Sequence, residues 1–267
     1  MRIEGQRILL TGAAGGIGSQ LAVALAKKGA KLVLLGRNAS NLIALLHELE
    51  SYNAEAKMVI GDLSNADFPV QAVNEAFECM GGLDVLVSSA GVSDFTDFET
   101  QSPASISSLM QINAVAPMLL AHAALPILKA QKKGMIVNIG SMMGSIGIPH
   151  YVSYSASKFA VRGFSQALRR ELVDTGIQVL YVAPRATRTR MNKAASVAWM
   201  DRQGTAMDSP EFVANKIVAA MESGQQETFI GQPESFFAYV NSVLPGLVDA
   251  GLKKQTREAR LFCKKAN

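Results

Sequence analysis

Short runs of consecutive apolar residues alternate with longer stretches in which apolar residues recur every three or four positions. The runs are RILLTG (7–12), KLVLLG (31–36), AKMVIG (56–61), LDVLVSS (83–89), GMIVNIG (134–140), IQVLYVAP (177–184) and ETFIG (227–231). Several are almost continuously apolar, which predicts strands buried on both faces, the habit of a parallel sheet. Segments 16–29, 38–52, 67–80, 105–130 and 152–174 carry the three-and-four spacing of helices packed on one side. Strand–helix alternation along the chain predicts the α/β class: one Rossmann-like, doubly wound parallel sheet of about seven strands with right-handed crossovers. The sequence has no long linker, repeat or low-complexity tract to divide it.

Composition narrows the picture. The chain has 267 residues, 49% of them hydrophobic and 18% charged, which excludes a disordered chain. The net charge is +4. Residues 253–265 hold six cations against Glu258, a net of +5 that leaves −1 for the remainder. The basic character therefore belongs to a tail, and no nucleic-acid partner is expected. Cys79 and Cys263 are far apart, as are His47, His122 and His150, so neither a disulfide framework nor a metal site is expected. The first residues, MRIEGQRILLTG, contain no long apolar segment, and no apolar run reaches the ~18 residues expected of a membrane span. A cytoplasmic location follows as an expectation.

The first strand runs into Thr11-Gly12-Ala13-Ala14-Gly15-Gly16-Ile17-Gly18 and then a helix. Residues without bulk let the backbone approach a pyrophosphate, and a helix N-terminus offers free N–H groups and a positive dipole end. A tight turn alone would use the same glycines; the strand–loop–helix setting favours a nucleotide. After the second strand stand Gly36-Arg37-Asn38, with no carboxylate for ribose hydroxyls. A guanidinium at Arg37 suits a 2′-phosphate, so NADP(H) is favoured over NAD(H).

Ser141 is followed 13 residues later by Tyr154, and Lys158 comes four residues further on. Tyr154 and Lys158 share a helix face. Hydride transfer to a ketone leaves an alkoxide that needs a proton. A phenol is a weak acid, with a reference pKa of about 10, and a neighbouring ammonium favours its phenolate. Ser141, at a strand end, suits hydrogen bonding to the carbonyl.

With TGxxxGxG and the Ser–Tyr–Lys spacing, the chain resembles the short-chain dehydrogenase/reductase family over roughly residues 5–231. The resemblance implies that Ser141 orients substrate, Tyr154 is the general acid/base, and Lys158 also holds the nicotinamide ribose. It implies that Asn113, in QINAVAP, completes a water-linked proton relay. Gly12, Gly16, Ile17, Gly18, Arg37, Asp62, Leu63, Ala90, Gly91, Pro184 and Thr189 match cofactor-binding positions, with Asp62-Leu63 beside the adenine. It also implies a homodimer or homotetramer, paired through the helices that carry Asn113 and Tyr154. The domain expected is a dinucleotide-binding catalytic unit over 1–232, followed by a C-terminal helical extension over 233–267, in the same domain or peripheral. Two positions depart from the family: Ser88-Ser89-Ala90-Gly91 replaces NNAG, and Pro184-Arg185 replaces Pro-Gly. Arg185 could narrow the nicotinamide entrance, meet an anionic substrate group or point to solvent.

Residues 190–207 cover the substrate in relatives. Met191, Val197, Trp199, Met200 and Met207 suit either an apolar lining or the packing of a lid. The substrate favoured is a small hydrophobic carbonyl or alcohol, including an acyl thioester, with Arg185, Arg188 and Arg190 available to an acidic carrier. Residues 235–248, SFFAYVNSVLPGLV, carry no charge and precede the cationic tail. Phe236, Phe237, Tyr239, Val240, Val243, Leu244, Leu247 and Val248 can form an apolar face, which suits peripheral membrane contact through 235–267 or packing on the domain or a sister subunit. The expected function is an NADP(H)-dependent oxidoreductase interconverting a carbonyl and a secondary alcohol. The alternative is a non-catalytic NADP-binding adaptor at a membrane or partner surface.

Overall fold

The computed structural model describes residues 1–263. The strands are β1 (Arg7–Thr11), β2 (Lys31–Gly36), β3 (Ala56–Ile60), β4 (Val85–Ser88), β5 (Gly134–Ile139), β6 (Ile177–Pro184) and β7 (Glu227–Ile230). They form one sheet in the order β3-β2-β1-β4-β5-β6-β7. Every pairing is parallel. All seven apolar runs are strands. The period-two geometry explains their continuity: Leu10, Leu32, Leu34 and Val87 enter one core, and Leu9, Val33, Leu35 and Leu86 enter the other.

The helices are α1 (Gly16–Ala26), α2 (Ala39–Glu50), α3 (Phe68–Met80), α4 (Pro103–Met110), α5 (Ala116–Gln131), α6 (Val152–Glu171), α7 (Ala194–Arg202), α8 (Pro210–Ser223), α9 (Glu234–Val243) and α10 (Pro245–Cys263). Helices α1, α2 and α8 supply the first core, and α3, α5 and α6 the second, giving three layers. The Arg7 guanidinium ties β1 to the start of β4 through two hydrogen bonds to the Asp84 carboxylate, each 2.8 Å. Burial alone would raise the Asp84 carboxyl, but this pairing holds it below its ordinary value.

Two expectations change. Segment 105–130 is not one α-helix: a π-helical turn, Gln111–Val115, separates α4 from α5. Pro117 has no N–H to offer the carbonyl four residues back, at Asn113, and the register shifts there. The run Pro103–Gln131 is also long and apolar enough to cross a membrane by composition. Half of its apolar window is buried, as expected of a core helix.

After β7 the chain turns back over the C-terminal edge of the sheet. Asn241 donates to the Ser145 carbonyl at 2.8 Å, which ties α9 to the loop after β5. Gln203 hydrogen-bonds Glu258, joining α7 to α10. Ala259 and Cys263 are buried in a third cluster with Phe95, Tyr151, Trp199 and Met200.

Candidate active site

The sheet order reverses between β1 and β4, where an open α/β sheet leaves a crevice at its strand ends. A cavity of about 980 Å³ lies over this edge. It runs from Gly12, Gly15 and Arg37, past Ser141, Tyr154 and Lys158, to Trp199 and Met200, and α9 and α10 roof it with Phe237, Val240, Leu247 and Val248.

The glycine loop is shaped by close approach. Gly12 has φ +64°, and a Cβ there would lie 2.7 Å from the Ala90 Cα. A Cβ at Gly18 would meet the Gly12 carbonyl oxygen at 2.1 Å, and one at Gly16 would meet Thr189 at 2.6 Å. The N-cap of α1 is Gly15, with no side-chain cap and no acid in the first turn. Its terminal N–H groups and dipole are therefore open to an anion, which fits a dinucleotide pyrophosphate. The Ser89 and Ala90 N–H groups each donate to the Thr11 hydroxyl at 3.1 Å. In this chain a threonine on β1 thus fixes the segment in which Ser88-Ser89 departs from the family pattern.

Arg37, Asp62 and Leu63 line the same end of the cavity. The Arg37 guanidinium is largely exposed and lies 3.9 Å from the Asp62 carboxylate. So loose and solvated a pair leaves the guanidinium available to a phosphate. Asn38 caps α2 by accepting from the Asn41 N–H at 3.0 Å.

The candidate reacting residues come from two elements. Ser141 stands just past β5, with its carbonyl accepting from the Tyr181 hydroxyl at 3.1 Å. Its own hydroxyl oxygen accepts from the Met143 N–H at 3.1 Å. Tyr154 and Lys158 rise from α6, the lysine ammonium 5.7 Å from the phenol ring centre. Lys158 is buried and donates to the Ile139 carbonyl at 3.0 Å. Burial lowers the Lys158 ammonium to about 8. Burial also pushes the Tyr154 phenol up to about 12, against the opposing influence of Ser141. The expected lowering of the phenol is therefore not what this geometry gives: desolvation outweighs the Ser141 hydrogen bond, and the lysine lies against the ring.

Asn113, on the π-helical turn, is buried. Its amide accepts from the Val92 N–H and donates to the Val92 carbonyl, both at 2.8 Å, and also donates to the Ser157 hydroxyl at 3.1 Å. The side chain is fully engaged as a clamp between the loop after β4 and α6. Ala90, Gly91, Pro184 and Thr189 also line the cavity, as does Ile17.

Arg185 resolves its three alternatives differently. Its guanidinium donates twice to Asp208, at 3.0 and 2.8 Å, and once to the Gln232 carbonyl at 2.9 Å. Glu234, the first residue of α9, lies 3.5 Å away. The arginine anchors the roof of the cavity to β6. Of the five candidate lining residues, Met191, Trp199 and Met200 face the cavity, whereas Val197 and Met207 pack into the third cluster. The apolar face expected over 236–248 is divided: Phe237, Val240, Leu247 and Val248 border the cavity, Phe237 and Leu247 while still exposed, and Phe236, Tyr239, Val243 and Leu244 are exposed away from it. Sequence reasoning did not single out Ser157, Tyr181 or Asp208, hydrogen-bonding residues with no motif of their own, and gave Thr11 of the TGxxxGxG motif no role.

The short chain dehydrogenase profile matches residues 6–198. The chain therefore belongs to the short-chain dehydrogenase family and is an oxidoreductase that works with a nicotinamide cofactor. It is similar to the ketoacyl reductase HetN of Nostoc sp., 32% identical over 86% of this chain and 80% of that protein. It is also similar to the 3-ketodihydrosphingosine reductase of Mus musculus, 30% identical over 86% of this chain and 73% of that protein. Among solved structures, a metagenomic short-chain oxidoreductase in complex with NADP is 30% identical, with a TM-score of 0.73, covering 86% of this chain and 98% of the other.

Proposed function

We propose that this enzyme is an NADP(H)-dependent reductase of a ketone borne on an apolar, acyl- or lipid-like skeleton, running in reverse as an alcohol dehydrogenase. One observation carries the reading: a single cavity joins the glycine loop and Arg37 to the Ser141–Tyr154–Lys158 group and then to an apolar end under α9 and α10. The names of the two relatives specify a ketoacyl and a 3-ketodihydrosphingosine substrate, both ketones on lipid-type chains. The NADP-bound neighbour and the uncommitted Arg37 guanidinium support the phosphorylated cofactor.

The bound nicotinamide supplies or accepts the hydride. Gly12, Gly16, Ile17 and Gly18 with the α1 N-terminus would hold its pyrophosphate, Arg37 its 2′-phosphate, and Asp62 and Leu63 its adenine. Ala90, Gly91, Pro184 and Thr189 would flank the nicotinamide half. The Ser141 hydroxyl donates to the substrate oxygen as negative charge develops there. Tyr154 gives that oxygen its phenolic proton, and the Lys158 ammonium stabilises the phenolate left behind. Asn113 keeps the loop after β4 pressed on α6, so the relay near Lys158 holds its shape. The exposed apolar side of α9, next to the cations of α10, supports peripheral contact with a lipid surface.

The test is a panel of 3-oxoacyl thioesters and long-chain ketones with the intact protein, run with NADPH and with NADH. NADPH oxidation should depend on chain length. Tyr154→Phe should reduce turnover by about 10²-fold or more while still binding NADPH. Retained turnover in that variant would remove Tyr154 from its role, and equal rates with NADH would remove the 2′-phosphate assignment.

A further inference from the structure

Away from the reacting residues, three side chains from distant parts of the chain meet beneath the C-terminal helix. Asp97 lies in the loop after β4, His150 immediately before α6, and Cys263 in the last described turn of α10. One ligand atom from each, a carboxylate oxygen, a ring nitrogen and the thiol sulfur, lies within 4.8 Å of the other two. The three elements reach this point by tertiary folding alone.

The histidine is held as a ligand would be. Its side chain is only 8% exposed, and Nδ1 lies 2.9 Å from the Asp97 carboxylate. Its carbonyl accepts from the Thr96 N–H at 3.0 Å, and the Phe95 ring stands edge-on at 5.8 Å. His150 also has φ +65°, a conformation a non-glycine residue keeps only when its surroundings enforce it. Its second ring nitrogen, Nε2, is buried and has no hydrogen-bond partner among the described residues. Nδ1, which already faces the Asp97 carboxylate, is the nitrogen placed to share a cation with it, leaving the ring proton on Nε2.

We propose that Asp97, His150 and Cys263 form a binding site for a borderline-soft divalent cation of the Zn²⁺ type, which clasps α10 to the loops after β4 and β5. The donor set of one thiolate, one imidazole and one carboxylate suits that class of ion rather than Mg²⁺ or Ca²⁺. Tetrahedral bonds of about 2.0–2.3 Å put donors roughly 3.5 Å apart, so the widest gap closes by about an ångström on binding while the 2.9 Å Nδ1–Asp97 gap opens slightly. Asp97 is partly exposed and leaves a side from which water completes the shell. Binding is a proton exchange without redox change: the Cys263 S–H bond breaks, the sulfur lone pair goes to the cation, and one proton leaves to solvent. A thiol keeps its proton at neutral pH, so ligation as the thiolate releases it. Cys79, the other thiol, is apart from the cluster and partly exposed.

The consequence is mechanical. Trp199 and Met200 of the cavity wall belong to the same buried cluster as Cys263. A cation at its edge would fix the far end of the roof over the apolar part of the cavity.

The test uses full-length protein stripped with a chelator and titrated with Co²⁺, whose thiolate ligation gives a sulfur-to-metal charge-transfer band. One equivalent should produce the band, release one proton, and be displaced by Zn²⁺; Zn²⁺ should also raise Tm. Cys263→Ser should abolish the band, and Asp97→Asn should weaken the affinity ~10-fold or more while keeping it. No band in the wild type, or an undiminished band in Cys263→Ser, overturns the proposal. Far-UV spectra of both variants establish that they are folded, and Cys79→Ser should keep the band.

Discussion

Tyr154 and Lys158 stand on one face of α6, and burial moves their protons in opposite senses. The phenol is pushed up to about 12 and the ammonium brought down to about 8. Below about 8 the pair is a neutral phenol beside a cation, the state suited to donate a proton and hold the resulting phenolate. Above it, Lys158 loses its charge while Tyr154 keeps its proton, and the acid becomes too weak to serve. Reductive kcat/KM should therefore be level on the acid side of about 8 and fall roughly tenfold per pH unit above it. A pH–rate profile at saturating NADPH measures this. Lys158→Arg, whose guanidinium does not titrate in that range, should flatten the limb even at a lower absolute rate. A wild-type profile that passes through pH 8 unchanged would detach Lys158 from the chemistry.

At the scale of elements, the sheet and most of its helices were legible because two-sided burial writes itself as unbroken apolar runs, and one-sided packing as three-and-four spacing. The break at Gln111–Val115 was not, although Pro117 lay in plain view: a proline permits several responses, and packing against the loop after β4 selects a π-turn. The candidate reacting residues Ser141, Tyr154 and Lys158 could be picked out because the last two are close in sequence and Ser141 lies at a strand end. Residues that work through tertiary partners were not. Arg185 shows why: its partners Asp208, Gln232 and Glu234 lie 23 to 49 residues away. It carries the start of α9, so its loss acts on the roof. Arg185→Ala removes those bonds and leaves the nearly buried Asp208 carboxylate unpaired, an expected loss of about 2 kcal/mol. KM for long-chain substrates should rise about tenfold, the equivalent of ~1.4 kcal/mol, with a smaller effect on short ketones that do not reach α9. Steady-state kinetics over a chain-length series decides it; equal KM ratios at every length would mean that the arginine does not support the substrate end.

Over the whole molecule, the surplus positive charge and a cluster of exposed apolar residues both lie on the C-terminal helices. Lys253, Lys254, Arg257 and Arg260 are exposed on α10; Lys264 and Lys265 lie outside the described residues. Phe236, Tyr239 and Val243 are each at least 60% exposed on α9, at the three-and-four spacing of one stripe. The neighbouring stripe, Phe237 and Val240, faces the cavity. One short helix thus presents apolar residues both to the substrate end and to the outside, as a protein taking a lipid-like ketone from a bilayer would require. Such a surface combines two forces with different signatures. Lysine and arginine near an anionic membrane contribute about 1 kcal/mol each and weaken as salt screens them, whereas apolar insertion does not. The intact protein should therefore co-sediment with phosphatidylserine-containing vesicles at low salt and partly dissociate as salt is raised. Tyr239→Ser with Val243→Ser should remove the salt-resistant fraction, leaving turnover of short soluble ketones near the wild-type value because neither residue borders the cavity. If the wild-type protein stays in the supernatant at low salt, α9 is a roof for the site alone, and its exposed stripe has no lipid partner.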